Sequence, residues 1–416
     1  MKSIGQAQRE IVESVVPLAL EHVALAQARE RVLALDVYAE RDLPGFDHSA
    51  MDGYAARHAD LAGGAADASW PMLGESRAGG AWPLPLALGH AMRIFTGAPL
   101  PEGADCVIMQ EDVDADAGTR SIRVRELPKA GANIRLRGSD IATGALALPR
   151  GQRIGPGEIA LLAGLGCGRV ATHRAARVAI VCTGDELRDV DEVLAPGALV
   201  NSNAYMLAAQ VEDAGGIATV LPSAPDRIEA IMERFEQALA MSDVVLTSGG
   251  VSVGDHDLVA EALGRAAVET RFWKVAMKPG KPLLFGMRAA VPVIGLPGNP
   301  VSAFVGFEVF VRPLLSRLQG SLAPYPALIP VRLAHDHRKS KGRPELARGT
   351  LRADEHDRGG LVAQLHARQG SGSLPSLARV DALVLLPADA TELAAGTELH
   401  ALRVGARAEQ IEPSFP

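Results

Sequence analysis

RVAIVCTGDE, residues 177–186, is an apolar run that ends in a glycine turn carrying two carboxylates. A short continuous run of Val, Ile and Ala predicts a strand, Arg177–Thr183, buried on both faces. The chain then alternates. Asn203 is placed to cap a helix over 204–214, which Gly215-Gly216 closes, and Ile217–Leu221 reads as a strand. Asp226 is placed to cap a helix from Arg227 to Met241, and the strand Asp243–Thr247 empties into Ser248-Gly249-Gly250. Strand-like runs at 283–286 and 291–296 follow, and Pro-Gly-Asn-Pro at 297–300 opens an apolar helix to about Leu318. Strands separated by helices predict a doubly wound parallel α/β sheet over 175–320. Ligands of such sheets bind beyond the carboxyl ends of the strands, where these glycine turns fall.

Outward from this unit the pattern changes. Ile4, Ile11, Val12, Val15 and Val16 share one helical face, and Pro17 stops it. From 43 to 145, Gly, Pro and Asp punctuate short runs (92–95, 107–109, 122–124), which predicts a β-rich unit. Residues 146–174 carry Gly-Pro-Gly and a short helix over 158–165, so short helical pieces flank the β-rich unit as they would an insert. After Ser321, runs at 329–333, 361–365, 382–386 and 398–403 predict a C-terminal all-β domain.

Composition bounds the function. A chain of 416 residues with 48% hydrophobic content holds several cores. Lys plus Arg is 42 against 49 Asp plus Glu, a net charge of −7, which argues against nucleic-acid binding through a basic surface. Three cysteines without a C-x-x-C pair leave little for a disulfide framework or thiolate zinc site. There is no signal-like N-terminus and no apolar stretch of about 18 residues, the length needed to span a bilayer. The expectation is a soluble, cytoplasmic protein with no membrane or nucleic-acid partner.

Four clusters can carry chemistry. Ser248-Gly249-Gly250 can offer backbone N–H groups and a hydroxyl to a phosphate, and Asp255, His256 and Asp257 follow at once. Lys274 and Lys278, four apart, would share a face in an extended segment, and Lys281 follows in Lys-Pro-Gly-Lys-Pro; clustered ammonium groups call for an anion. Asn299 sits where a strand exit starts a helix, whose free N–H groups suit an anionic oxygen. Asp185 and Glu186 would repel a phosphate unless a divalent cation intervenes, which implies Mg²⁺ or a similar cation. In the β-rich unit, Arg135 and Arg137, two apart, would form a same-face anion clamp on a strand. Taken singly, each of these is as readily an ordinary turn or a solvated surface.

Together the strings resemble the MoeA family of molybdopterin molybdenumtransferases, which includes the gephyrin E domain. The matching segments are Phe46–Ala55, Thr96-Gly97-Ala98-Pro99, Thr183–Leu187, Ser248–Asp257, Lys278–Pro282, Pro297–Ser302, and Gln369–Gly372 with Ser376-Leu377-Ala378. The resemblance implies an N-terminal helix (1–21) packed with the α/β domain (175–320), and a linker domain (22–42 and 146–174) split around an inserted β-rich domain (43–145). A C-terminal β-barrel (321–416) completes it. It further implies a homodimer whose active cleft is shared between protomers, and a transient contact with the adenylyltransferase that supplies the substrate. The implied activity takes adenylylated molybdopterin and molybdate, inserts molybdenum and releases AMP.

Family positions fall on Asp52, Thr96, Glu186, Asp226 and Asp257, on Lys274 and Lys278, and on Ser371. Glu186, Asp226 and Asp257 would hold Mg²⁺; the lysines would neutralise molybdate and phosphate; Asp52 and Thr96 would reach in from the partner. Two rival readings stand beside this one. A molybdopterin adenylyltransferase shares the 175–320 pattern but needs none of the flanking chain, and a non-catalytic scaffold or diverged paralogue would keep the fold without the turnover.

Overall fold

The computed structural model describes residues 1–65, 68–250, 258–354 and 360–404. Its central domain is one six-stranded sheet built from β1 (Arg177–Cys182), β2 (Ile217–Val220), β3 (Val244–Ser248), β4 (Glu269–Lys274), β5 (Pro282–Arg288) and β6 (Val291–Leu296), in the order β2-β1-β3-β6-β5-β4. Side chains alternate across it. Val178, Ile180 and Cys182 join the core under the helix Ser202–Asp213, while Ala179 and Val181 join the core under Ile228–Met241 and Leu258–Arg265. Covering both faces explains why β1 reads as a continuous apolar run.

The sheet is not wholly parallel. β2, β1, β3 and β6 run parallel, but β5 is antiparallel to both β6 and β4. The cause is local: only Ala289 and Ala290 separate β5 from β6, with Ala289 at φ 51°, and so short a link can only make a hairpin. The strand order reverses between β1 and β3, so their carboxyl ends flank the crevice expected to hold a ligand.

Two capping expectations are corrected. The helix Ser202–Asp213 is capped by Asn201, whose side chain accepts from the Ala204 N–H, and Asn203 lies inside the helix. The helix Ile228–Met241 begins after Arg227 with no side-chain cap, so Asp226 is released for other contacts. The long apolar helix runs as Pro300–Gly306, a π turn over Phe307–Val311, and Arg312–Leu318. Gln8, on the N-terminal helix Ile4–Glu13, donates to the Val309 carbonyl in that π turn at 2.8 Å, while Ala7, Ile11 and Val15 enter the central core.

Around this unit, Leu20–Ala24 pairs with Arg169–His173 and Val37–Tyr38 with Leu146–Leu148, so the two chain segments flanking the β-rich residues form one small domain. The β-rich segment itself holds a second six-stranded sheet. Near the C-terminus, Leu328–Leu333, Glu345–Ala353, Leu361–Leu365, Ala382–Leu386 and Glu398–Arg403 close a five-stranded barrel around Val331, Ala347, Ala363 and Val384. No helix among the described residues is long and apolar enough to cross a membrane.

Candidate active site

Three strand exits meet at the crevice. The Thr183 N–H donates to the Ser248 carbonyl at 3.3 Å, and the Gly249 N–H to the Leu296 carbonyl at 3.3 Å, tying the ends of β1, β3 and β6 together. Glycine is required here for two reasons. Gly249 sits at φ 98° and Gly250 at φ 61°, and a Cβ on Gly249 would lie 2.7 Å from the Thr183 carbonyl oxygen. The Thr183 hydroxyl is buried beside these glycines and has no hydrogen-bond partner among the described residues.

Ser248 is buried and differs from its expected role. Its hydroxyl accepts from the Asn203 side chain at 2.9 Å, and the same amide donates to the Gly298 carbonyl at 2.7 Å. Asn203 therefore pins β3 to the turn after β6. The Ser248 hydroxyl and the Gly249 N–H, both expected to cradle a phosphate, are thus engaged within the protein, and the Thr183 hydroxyl is the group at this turn left without a partner among the described residues. Asn299 is exposed and opens the helix Pro300–Gly306 without a side-chain cap bond.

Acids line the other side of the crevice. The Asp226 N–H donates to Asp185 Oδ1 at 3.0 Å, and the Asp185 N–H to Asp226 Oδ2 at 3.4 Å, a reciprocal pair that joins the exits of β1 and β2. Glu186 folds back over Gly184, its carboxylate lying 2.6–2.9 Å from where a Gly184 Cβ would be. Asp257 lies outside the described residues. Among those described, no group of three His, Cys, Asp or Glu is arranged to hold a metal. Exposed carboxylate oxygens are the hard donors Mg²⁺ takes, so Asp226 and Glu186 fit it in kind, but two of them are not a complete shell.

The lysines meet a different partner. The chain leaves β4 at Lys274 and turns, with the Val275 N–H bonded to the Lys281 carbonyl at 3.1 Å and the Met277 N–H to the Val275 carbonyl at 2.9 Å. That turn breaks the extended run in which Lys274 and Lys278 would have shared a face. Lys278 and Lys281 instead line a cavity of about 490 Å³ between the sheet and the barrel, with Arg343, Glu345, Ser302 and Ser371, whereas Lys274 does not line it. Lys278 Nζ donates to Glu345 at 3.1 Å. The Ser371 carbonyl accepts from the Val301 N–H at 3.1 Å, so the barrel's Gly370–Ser371 segment docks on the start of the helix that leaves the crevice.

Behind that wall lies Arg348, which the sequence reading did not single out. It is fully buried; its Nη2 donates to the Arg368 and Gly370 carbonyls at 2.9 and 3.2 Å, while Nε and Nη1 have no partner among the described residues. Burial pushes its pKa down. A buried guanidinium with two idle nitrogens, three N–H groups in all, is costly unless an anion completes it. Its signal in the sequence was an arginine in the apolar setting of LARGTL, on the strand face opposite the barrel-core residue Ala347.

On the inserted domain, Asp52 Oδ1 accepts from both the Thr96 N–H (2.7 Å) and the Thr96 hydroxyl (2.8 Å). These bonds, with the nearby Arg93 charge, hold the Asp52 carboxyl below the usual range. Arg93 stacks over Tyr54 and Phe95 at 4.9 and 4.8 Å and bonds the Gly53 carbonyl at 3.1 Å, bracing the turn. Arg135 is the last residue of its short strand and pairs with Asp140 at 2.5 Å, while Arg137 lies beyond it and pairs with Asp42. The expected clamp is therefore two separate ion pairs.

Family comparisons agree with this architecture along the whole chain. Residues 2–166 match the MoeA N-terminal region (domain I and II), 179–317 a probable molybdopterin binding domain, and 330–403 the MoeA C-terminal region (domain IV). Molybdopterin molybdenumtransferase 2 of Mycobacterium tuberculosis is 36% identical over 407 residues, covering 96% of this chain and 99% of that one. Molybdopterin molybdenumtransferase of Nostoc is 37% identical, covering 92% of this chain and 88% of that one. The crystal structure of a molybdopterin biosynthesis moeA protein from Pyrococcus horikoshii superposes with a TM-score of 0.82 at 28% identity, covering 97% of this chain and all of that one. The glycine-lined crevice, the acidic exits and the cationic cavity thus stand on a shared four-part framework, and the chain belongs to the MoeA family of molybdopterin molybdenumtransferases.

Proposed function

We propose that this protein inserts molybdenum from molybdate into adenylylated molybdopterin and releases AMP. The observation that carries the reading is the cavity at the sheet–barrel junction. Two lysines, an arginine and two seryl residues line it, and the buried Arg348, bonded to the Gly370 carbonyl of its wall, has two nitrogens without a partner among the described residues. Such a set suits a tetrahedral oxyanion: ammonium groups neutralise it as point charges and hydroxyls fix its orientation.

The crevice suits the other substrate. The anhydride phosphates would lie at the glycine turns, where the Gly249–Gly250 backbone can be approached closely and Thr183 offers its idle hydroxyl. The helix beginning at Pro300 links the two places, since Gly298 borders the crevice and Val301 is bonded to Ser371 in the cavity. A dithiolene held between them would exchange its two thiol protons for one molybdate oxygen, lost as water, with no oxidant or reductant. Water cleaves the phosphoanhydride, and AMP departs. Lys278 and Lys281 stabilise the charge that gathers on the anions.

We also place Mg²⁺ with Glu186, Asp226 and Asp257, where it would polarise the phosphoanhydride. Asp52 and Thr96 lie on a different domain from the lysines, which supports a homodimer in which they serve the partner's crevice. A cytoplasmic location and a transient encounter with the adenylyltransferase complete the proposal. Binding of molybdate to the purified protein, followed by equilibrium dialysis, tests the cavity. Saturable binding that Lys281→Ala weakens at least tenfold is expected; no saturable binding would remove the main support.

A further inference from the structure

One group in the cavity opposes its purpose. Glu345, the first residue of its barrel strand, is a carboxylate on the wall of a space whose other charged lining residues are the cations Lys278, Lys281 and Arg343. Its side chain is only 5% exposed, against 48% for Lys278, and its hydrogen-bond partner is the Lys278 ammonium at 3.1 Å. A fixed carboxylate beside an anion site lowers the anion's affinity, so its presence calls for a reason.

Docking of the barrel does not supply that reason. The same junction is already fastened by other bonds: the Lys278 N–H to the Pro344 carbonyl (3.0 Å), the Leu346 N–H to the Lys278 carbonyl (2.7 Å), Arg343 Nη1 to the Met277 carbonyl (2.9 Å), and the Val301 N–H to the Ser371 carbonyl (3.1 Å). With the Lys278 backbone held on both sides, only its side chain is free to change partner. The ion pair is also lopsided. The carboxylate is packed in place, whereas the ammonium end is open to the cavity.

We propose that Glu345 is the positioning residue and exchangeable counter-ion of Lys278, holding the ammonium on the cavity wall until an oxyanion takes it over. The proposal rests on the oxyanion reading of this cavity. Before binding, the pair keeps Lys278 oriented and lowers the positive charge of the cavity. When the oxyanion enters, Lys278 turns onto it, and the Glu345 charge left behind keeps the anion loosely enough held to be passed on. An acceptor of transferred metal gains nothing from an anion trapped in a wholly cationic hole.

The test uses the full-length protein, molybdate alone as the probe, and the variants Glu345→Gln, Glu345→Asp and Lys278→Met. Gln keeps the size and an acceptor oxygen but removes the charge. Glu345→Gln should bind molybdate about tenfold more tightly and turn over several-fold more slowly, a split between affinity and kcat that a mere loss of packing would not give. Glu345→Asp, which keeps the charge, should retain near wild-type affinity with reduced kcat. In a Lys278→Met background, Glu345→Gln should no longer slow turnover. Unchanged or weaker binding by a folded Glu345→Gln would overturn the proposal and leave the cavity reading intact, as would tightening by Glu345→Asp. If Glu345→Gln does not fold, the Asp variant alone decides by the same criterion. Failure of wild-type protein to bind molybdate would instead strike the cavity reading itself, and this inference with it.

Discussion

Gly249→Ala is the sharpest perturbation of the crevice. The new Cβ would stand 2.7 Å from the Thr183 carbonyl oxygen and 3.2 Å from its hydroxyl, with the backbone at φ 98°. The carbonyl cannot retreat cheaply, because the Thr183 N–H is bonded to Ser248 and the next N–H, of Gly184, to the Ala224 carbonyl at 3.2 Å. A non-glycine residue in such a backbone region costs about 1–3 kcal/mol, and forcing a methyl into a filled space costs about 1–3 kcal/mol more, so a loss of about 3 kcal/mol is expected. Gly298→Ala is the matched control. Its Cβ would meet Gly249 Cα at 3.5 Å, an ordinary contact without positive φ, so it should cost less than about 1 kcal/mol. Urea denaturation followed by circular dichroism measures both, and AMP release measures the effect on the crevice. Equal losses for the two variants, or a Gly249→Ala loss under about 0.5 kcal/mol, would refute the claim that close packing of the strand exits fixes this glycine.

Four further outcomes follow from the geometry. Thr96→Val removes the second of two bonds to Asp52 and should raise the Asp52 pKa part of the way to its ordinary value, read by NMR titration; the lowered carboxyl contributes stability above its unfolded pKa that is lost as pH falls through its folded one. No movement would mean that the Thr96 hydroxyl does not hold it. Arg348→Met should leave thermal stability within about 2 kcal/mol, since a poorly satisfied buried charge leaves with its two bonds, yet abolish any stabilisation by molybdate; a loss of more than about 4 kcal/mol would make Arg348 a structural pillar. Asp226→Asn should raise the Mg²⁺ concentration for half-maximal rate and leave molybdate binding unchanged, and the reverse pattern would undo the division between crevice and cavity. Burial pushes the Cys106 thiol up to about 12 and that of Cys182 to about 11, so at pH 8 a maleimide should label the half-buried Cys167 first and the other two only on unfolding; early labelling of Cys182 would show that the crevice floor opens.

What the sequence revealed was whatever depends on local pattern. Strand β1 was legible because burial on both faces demands an unbroken apolar run, and the glycine turns because positive φ leaves few alternatives. Long-range pairings were not. The strand Glu345–Ala353 went unread because Arg348 and Gly349 interrupt its apolar alternation, although Arg348 is fully buried in the fold. Asn203 looked like a helix cap, as Asn before an apolar run usually is; Asn201 takes that place and leaves Asn203 to join two strand exits that are 45 and 95 residues away in the chain. Lys274 and Lys278 were read as one face because nothing local announced the turn between them. Glu345 carried no signal at all, since its meaning lies in Lys278, a partner from another domain.

The central claim is that one protein joins a phosphate-binding crevice to an oxyanion cavity and couples their chemistry. Purified protein incubated with adenylylated molybdopterin, molybdate and Mg²⁺ should release AMP in step with the appearance of molybdenum on the dithiolene, and Lys278→Met should slow both together to the same residual rate. AMP release that continues at full rate without molybdenum transfer, or adenylylation of free molybdopterin from ATP by the same protein, would contradict the account.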